Sequence, residues 1–150
     1  MAITGCGAFQ PLVTVVELIS KCDAFRGKPI NLAGYLGECS VYSCHLYPDP
    51  VGMAAADEYM RALSSELKLA VAEKRPASST SLGPKPRSIG MGGGAEFDRK
   101  AAQFQNSYVV ISGRVAKATC TGEGGTDRSA GLEPTAIRAM TSAELDPGPI

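Results

Sequence analysis

Residues 29 to 50 read PINLAGYLGECSVYSCHLYPDP. In the first half Ile30, Leu32, Gly34 and Leu36 alternate with Asn31, Ala33 and Tyr35, the period-two pattern of a strand with one buried face. Cys39 and Cys44 enclose only Ser40-Val41-Tyr42-Ser43, and the short apolar run His45-Leu46-Tyr47 follows as a returning strand. Pro48-Asp49-Pro50 stops it, because proline has no N–H to give a ladder. The spacing therefore predicts a β-hairpin with Cys39 opposite Cys44 at its mouth. A cross-strand pair meets the Cα separation of about 4.4–6.8 Å that a disulfide needs. Closing so small a loop adds about 2 kcal/mol on the chain-entropy argument, and the bridge requires an oxidising compartment.

His45, the only histidine, invites two other readings of the same stretch. A zinc site would draw on Cys39, Cys44 and His45 with Cys22 or Cys120 as fourth ligand, but C-x4-C-H is not a usual ligand spacing. A thiolate nucleophile would need a base to orient it, and Cys44 beside His45 is the only sequence-adjacent candidate. Neighbours on a strand point to opposite faces, which separates them. We expect no catalytic residue, metal site or cofactor here.

Outward from the hairpin, Thr14-Val15-Val16-Glu17 forms a capping box ahead of a short helix running to about Lys21, with Val15, Leu18 and Ile19 on one side. Asp23 to Lys28 turns the chain, Gly27 taking the left-handed position. Residues 53 to 74 predict an amphipathic helix: Met53, Ala56, Met60, Leu63, Leu67, Ala70 and Val71 recur at helical spacing. Its polar face carries mixed charge, so we expect it to pack against the barrel's sheet and not on a membrane. PASSTSLGPKPRSIGMGGG, 76 to 94, reads as a low-complexity linker with too little apolar surface to offset its ordering entropy. A helix over about 95 to 105 presents Phe97, Ala101 and Phe104. The strongest strand is SYVVISGRVAKA, 107 to 118, where Val109, Ile111 and Val115 share a face and Gly113 invites a bulge. A glycine-rich loop, 121 to 131, leads to a final strand in LEPTAIRAM, and the last ten residues read as a tail.

The chain has 150 residues, 44% of them apolar, with fifteen basic and fifteen acidic residues and a net charge of zero. That removes the global basic surplus of a nucleic-acid binder, and no apolar run is long enough to span a bilayer. There are five cysteines, an awkward count for an oxidised protein. Ile3-Thr4-Gly5-Cys6 matches the end of a bacterial lipoprotein signal, which would make Cys6 the lipidated residue of a form carrying charged and apolar regions upstream. Setting Cys6 aside leaves an even four. Cys22 and Cys120 are then a candidate second pair, which the sequence leaves open.

Several segments resemble small uncharacterised bacterial OB-fold-like proteins, five-stranded barrels with a paired-cysteine hairpin. VTVVELISKCDAFRGKPINLAGYL, 13 to 36, resembles their opening helix, turn and strand. CSVYSCHLY, 39 to 47, resembles their hairpin. SIG, 88 to 90, with FDRKAAQFQNSYVVISGRV, 97 to 115, resembles their later helix and long strand, and DRSAGLEPTAI their last strand. The resemblance implies an export or lipoprotein signal and no established reaction. It also implies a local cysteine pair where this chain has Cys120 alone.

The expected architecture is α+β, mainly β: an OB-like antiparallel barrel with a short N-terminal helix and a helical insertion. Residues 1–12 are a flexible leader, 13–140 a single OB-like domain with the insert at about 76–94, and 141–150 a tail. The expected function is a non-enzymatic extracytoplasmic module, in the periplasm or cell envelope, binding a protein or small-molecule ligand. A lipid anchor is its only expected link to a membrane. The alternative is a cytoplasmic single-stranded nucleic-acid binder using Lys85, Arg87, Arg99, Lys100 and Arg114, with Tyr35, Tyr47, Phe97 and Tyr108 as its stacking platform. At zero net charge those rings read better as core packing. The glycine run before the 95–105 helix, with Lys85 and Arg87 nearby, is the one phosphate-like feature. Without a G-K-S/T ending it reads as linker.

Overall fold

The computed structural model describes residues 10–122, 128 and 130–146. It is α+β, with a mainly antiparallel six-stranded sheet and five α-helices among those residues. Cys6 lies outside the described residues.

β1 (Leu12–Thr14) leads into α1 (Val15–Ser20) through the expected capping box. The Glu17 N–H donates to Thr14 Oγ1 and the Thr14 N–H to Glu17 Oε1, both at 3.1 Å. α2 (Cys22–Phe25) follows, and Gly27 turns the chain at φ 73°. Leu12 is thus already in the sheet, at what the sequence reading makes the end of a leader. Three residues are too short to show a period, and only buried Val13 marks β1.

β2 (Pro29–Leu36) is the central strand. One edge pairs antiparallel with β5 (Ser107–Val115) along its whole length. The other is shared, parallel to β1 over Asn31 to Ala33 and antiparallel to β3 (His45–Tyr47) at Tyr35 and Leu36. The hairpin is as expected: Ser40 and Ser43 exchange N–H···O bonds of 2.8 and 3.3 Å around Val41-Tyr42. Both cysteine pairs are bridged, Cys39–Cys44 with Cα atoms 4.1 Å apart and Cys22–Cys120 at 5.7 Å.

α3 (Pro50–Ala72) begins before the expected residue 53, because Asp49 caps it through the Gly52 N–H at 2.7 Å and Pro50 takes the first turn. The stop of β3 is therefore also the start of α3. Its expected packing on the sheet is mostly not realised: of its apolar residues only Ala70 is buried, and Val71 is 79% exposed. A three-residue β3 offers about 10 Å of strand, while a helix of this length extends about 35 Å. Most of α3 has no sheet to lie on.

The linker expected over 76–94 contains a strand. β4 (Ile89–Gly90) pairs antiparallel with β3, and Ile89 and Met91 are fully buried. Averaged composition hides two large apolar side chains placed where β3 needs a neighbour. α4 (Ala95–Ala101) then continues as a 3₁₀ turn to Phe104, in place of one helix to 105. The tail also starts ordered: Thr141 and Glu144 form a capping box for α5 (Ser142–Leu145).

β5 buries Val109, Ile111 and Val115 as the alternation requires, and Val110 as well. β6 (Leu132–Ala139) completes the order β4-β3-β2-β5-β6. The register slips between Ser112 and Gly113: Ser112 faces Ala136 and Gly113 faces Pro134, leaving Thr135 as the bulged residue. Pro134 sits beside the bulge, where a missing ladder N–H is tolerated. A Cβ on Gly113 would lie 2.3 Å from the Glu133 carbonyl oxygen, backbone against backbone. We therefore expect Gly113→Ala to cost at least about 2–3 kcal/mol by overpacking, read as a lower urea midpoint, whereas Gly94→Ala, which meets nothing, should cost far less.

The outer strands β4 and β6 approach each other without forming a ladder. Met91 and Leu132 make one isolated parallel bridge, with the Gly92 N–H donating to the Leu132 carbonyl and the Gly131 N–H to the Gly90 carbonyl, each 2.8 Å. The sheet is accordingly not closed into the expected continuous barrel. β4 cannot lengthen, because Gly93 at φ 86° turns the chain out of the strand toward α4.

Candidate functional site

Alternation along the hairpin's second strand separates structural from accessible groups. Cys44 and Leu46 point inward and are buried, while His45 and Tyr47 point to the other face. Over that face come Ala56, Tyr59 and Met60 from the first turns of α3, and Lys85, Pro86 and Ser88 from the approach to β4. With Ser43 they enclose a concavity of about 260 Å³. The insert thus acts as a wall: Asp49 starts α3 beside β3, and β4 brings the chain back along the hairpin.

His45 Nδ1 lies 2.9 Å from Ser88 Oγ. Burial holds the imidazole pKa below its usual value, and the charges of Lys85 and Arg128 push it the same way. The ring is therefore neutral at ordinary pH, with one donor and one acceptor. Burial, and then the Asp57 carboxylate, raise the Tyr47 phenol, which stays protonated. Lys85 is the one charged side chain of the lining; the rest is hydroxyl, aromatic and apolar.

A second constellation centres on Arg128, which lines a separate concavity with Ser40 and Asp98. Arg128 engages every arm of its guanidinium. It meets the two oxygens of Asp98 at 2.6 and 2.9 Å, the Met91 carbonyl at 2.9 Å, the Gly92 carbonyl at 2.7 Å, and the Ser40 carbonyl of the hairpin. Its own N–H donates to the Tyr42 carbonyl. One residue of the glycine-rich loop thereby ties the hairpin tip, the end of β4 and α4 together. The sequence reading missed it, since nothing in that loop's composition distinguishes Arg128 from a solvated arginine.

The two disulfides engage the thiols that the zinc and nucleophile arrangements require. The glycine run before α4 is a poor phosphate cradle, because the Glu133 carboxylate lies against Gly92 and would repel an anion there. The five cations of the nucleic-acid alternative are spread out. Lys85 lines the His45 concavity, Arg99 a different one with Cys39 and Arg128, and Arg114 donates to the Gly27 carbonyl at 2.6 Å. Lys100 is exposed on α4, and Arg87 belongs to the exposed segment before β4. Of the proposed platform, Tyr35 and Tyr108 stack edge-to-face at 5.2 Å, and the Tyr35 hydroxyl donates to the Asn106 carbonyl at 2.8 Å. Phe97 packs against the core and Tyr47 lines the concavity.

No family model, curated protein or solved structure matches the chain. The two disulfides fit an oxidising, extracytoplasmic environment, and among the described residues no helix is long and apolar enough to cross a membrane.

Two carboxylates brace the periphery. The Arg75 guanidinium, with the Ser78 N–H, holds Glu66 at about 2, down from 4.5. Arg138, with the Thr141 N–H, does the same for Glu144, also to about 2. A depressed folded pKa stabilises fully above the unfolded value and is lost as pH falls toward the folded one. Stability should therefore decline from about pH 4.5 toward pH 2. Glu66→Gln and Glu144→Gln should each flatten that acid limb in a plot of Tm against pH.

Proposed function

We propose that the chain is an extracytoplasmic, disulfide-braced binding module of the OB type that performs no catalysis. The observation that carries the reading is that the four described cysteines form two disulfides, one of them closing the hairpin whose outer face floors a walled concavity. Cys39–Cys44 closes the hairpin, and Cys22–Cys120 ties α2 to the segment after β5. The topology supports the OB-like part. The five strands run β4-β3-β2-β5-β6, the outer two meet in a parallel bridge, and α4 lies between the third and fourth of them in chain order. Short parallel contacts of this kind are what a partly open five-stranded barrel presents. The resemblance to small bacterial proteins that often carry an export or lipoprotein signal points the same way, and Ile3-Thr4-Gly5-Cys6 offers Cys6 as a lipidation site.

The nucleic-acid alternative draws less support, because its cations do not converge. A salt-sensitive complex with single-stranded DNA would revive it. The main reading is tested in the native cell. After thiol blocking, the protein should fractionate with the envelope and carry all four described cysteines unblocked until reductant is added. Recovery from the cytosol with blocked thiols would overturn it.

A further inference from the structure

We propose that the concavity over the outer face of β3 binds a small organic acid, a compact apolar or aromatic body bearing one carboxylate. The carboxylate would meet Lys85 and Ser88, and the body would lie among Met60, Pro86 and the Tyr59 ring. This deepens the binding-module reading and rests on it.

Three features carry the ligand class. The first is charge: the lining holds one ammonium, no carboxylate and several hydroxyls, which favours an anion and repels a cation. The second is shape. About 260 Å³ lies below the ~300–1,000 Å³ of sites for drug-sized ligands, so the occupant is small. The apolar walls reward a hydrocarbon body over a bare phosphate. The third is the electrostatic surroundings of His45. Lys85 and Arg128 both disfavour its protonation; Asp98 already pairs Arg128 and the Asp57 carboxylate acts on neighbouring Tyr47, so the positive field inside the lining comes from Lys85. A bound carboxylate would offset that field, so the ring should take up a proton at higher pH in the complex. By linkage, affinity should rise as pH falls through that range.

His45 is the only histidine, so its imidazole signals in an NMR spectrum need no assignment by mutation. The full oxidised chain is titrated with benzoate, benzyl alcohol, benzylammonium and inorganic phosphate while those signals are followed. Benzoate is expected to give a saturable shift and to raise the midpoint of the His45 titration. Benzyl alcohol and phosphate should bind at least about tenfold more weakly, the worth of one charge-assisted contact or of the apolar body, and benzylammonium not at all. Lys85→Met should weaken benzoate about tenfold. Lys68→Met removes the same charge from a lysine outside the lining and should change nothing. Met60→Trp, which fills the cavity, should block benzoate while the amide spectrum shows an intact fold. A shift that stays linear in benzoate, or an equal affinity in Lys85→Met and Lys68→Met, overturns the proposal. Neither outcome bears on the compartment, so failure here is distinct from a cytosolic, reduced protein.

Discussion

The Cys22→Ser, Cys120→Ser double variant is expected to lose about 4–5 kcal/mol of folding stability, and the Cys39→Ser, Cys44→Ser variant only about 2 kcal/mol. The difference follows from loop length: the bridges join cysteines 98 and 5 residues apart. The short loop lies inside the long one. Closing it shortens the long loop by only a few residues, and entropy varies with the logarithm of length, so the two contributions should be nearly additive. The long bridge lies on a seam that hydrogen bonds also secure, the Gly27 N–H donating to the Val115 carbonyl and the Val115 N–H to the Lys28 carbonyl, each 2.9 Å. Beside it Arg26 donates to the Lys117 and Ala118 carbonyls at 2.8 and 2.9 Å, and Cys120 is almost fully buried. Against a total of about 5–15 kcal/mol for a domain, the first variant should unfold at far lower urea, and the second should shift modestly. Equal losses in urea melts of the two double variants would show that loop entropy is not the cause.

Arg128→Met is expected to cost about 3–5 kcal/mol, the usual consequence of removing one partner from a largely buried ion pair. Asp98 would keep its carboxylate with only 17% of the side chain exposed and no arginine against it. Three carbonyls, of Ser40, Met91 and Gly92, would lose a donor at the same time. Asp98→Asn should cost less, since the amide oxygen still accepts and the three carbonyl contacts survive. The pair can be apportioned by a double-mutant cycle with Arg128→Met, Asp98→Asn and the combination, followed by chemical denaturation. A coupling energy near zero would show that the clamp acts through the carbonyls alone. Because Arg128 contributes to the field at His45, its loss should also let the imidazole titrate at higher pH. A purely structural brace elsewhere would not have that effect.

The strands that carry the fold were legible where burial imposes a long alternation. β2 and β5 are eight and nine residues long, and their register brings Leu32 opposite Ile111 within the core. The Thr14 and Glu17 reciprocal cap was legible because it is local, and so was the hairpin, whose loop is set by two residues. β4 was hidden: two residues in a run of serine, proline and glycine carry no period, and their burial depends on β3 lying alongside. β1 was hidden for the same reason. The packing of α3, in contrast, is less than its stripe implies, with only Ala70 of its apolar residues buried. A helical stripe implies an apolar partner surface, but the sequence does not say how large that surface is.

The candidate site divides along the same line. That His45 turns away from Cys44 follows from strand geometry alone, as does the pairing of Cys39 with Cys44, because both depend on neighbours in the chain. That Ser88, Lys85, Tyr59 and Met60 surround His45 depends on α3 and β4 returning to one strand from tens of residues away. The same holds for Cys22 finding Cys120 and Arg128 finding Asp98. Local stereochemistry acts over a few residues, so it can be read from their order. Contacts between distant segments are chosen by competition among all the surfaces a chain could bury, and only the folded arrangement resolves that competition.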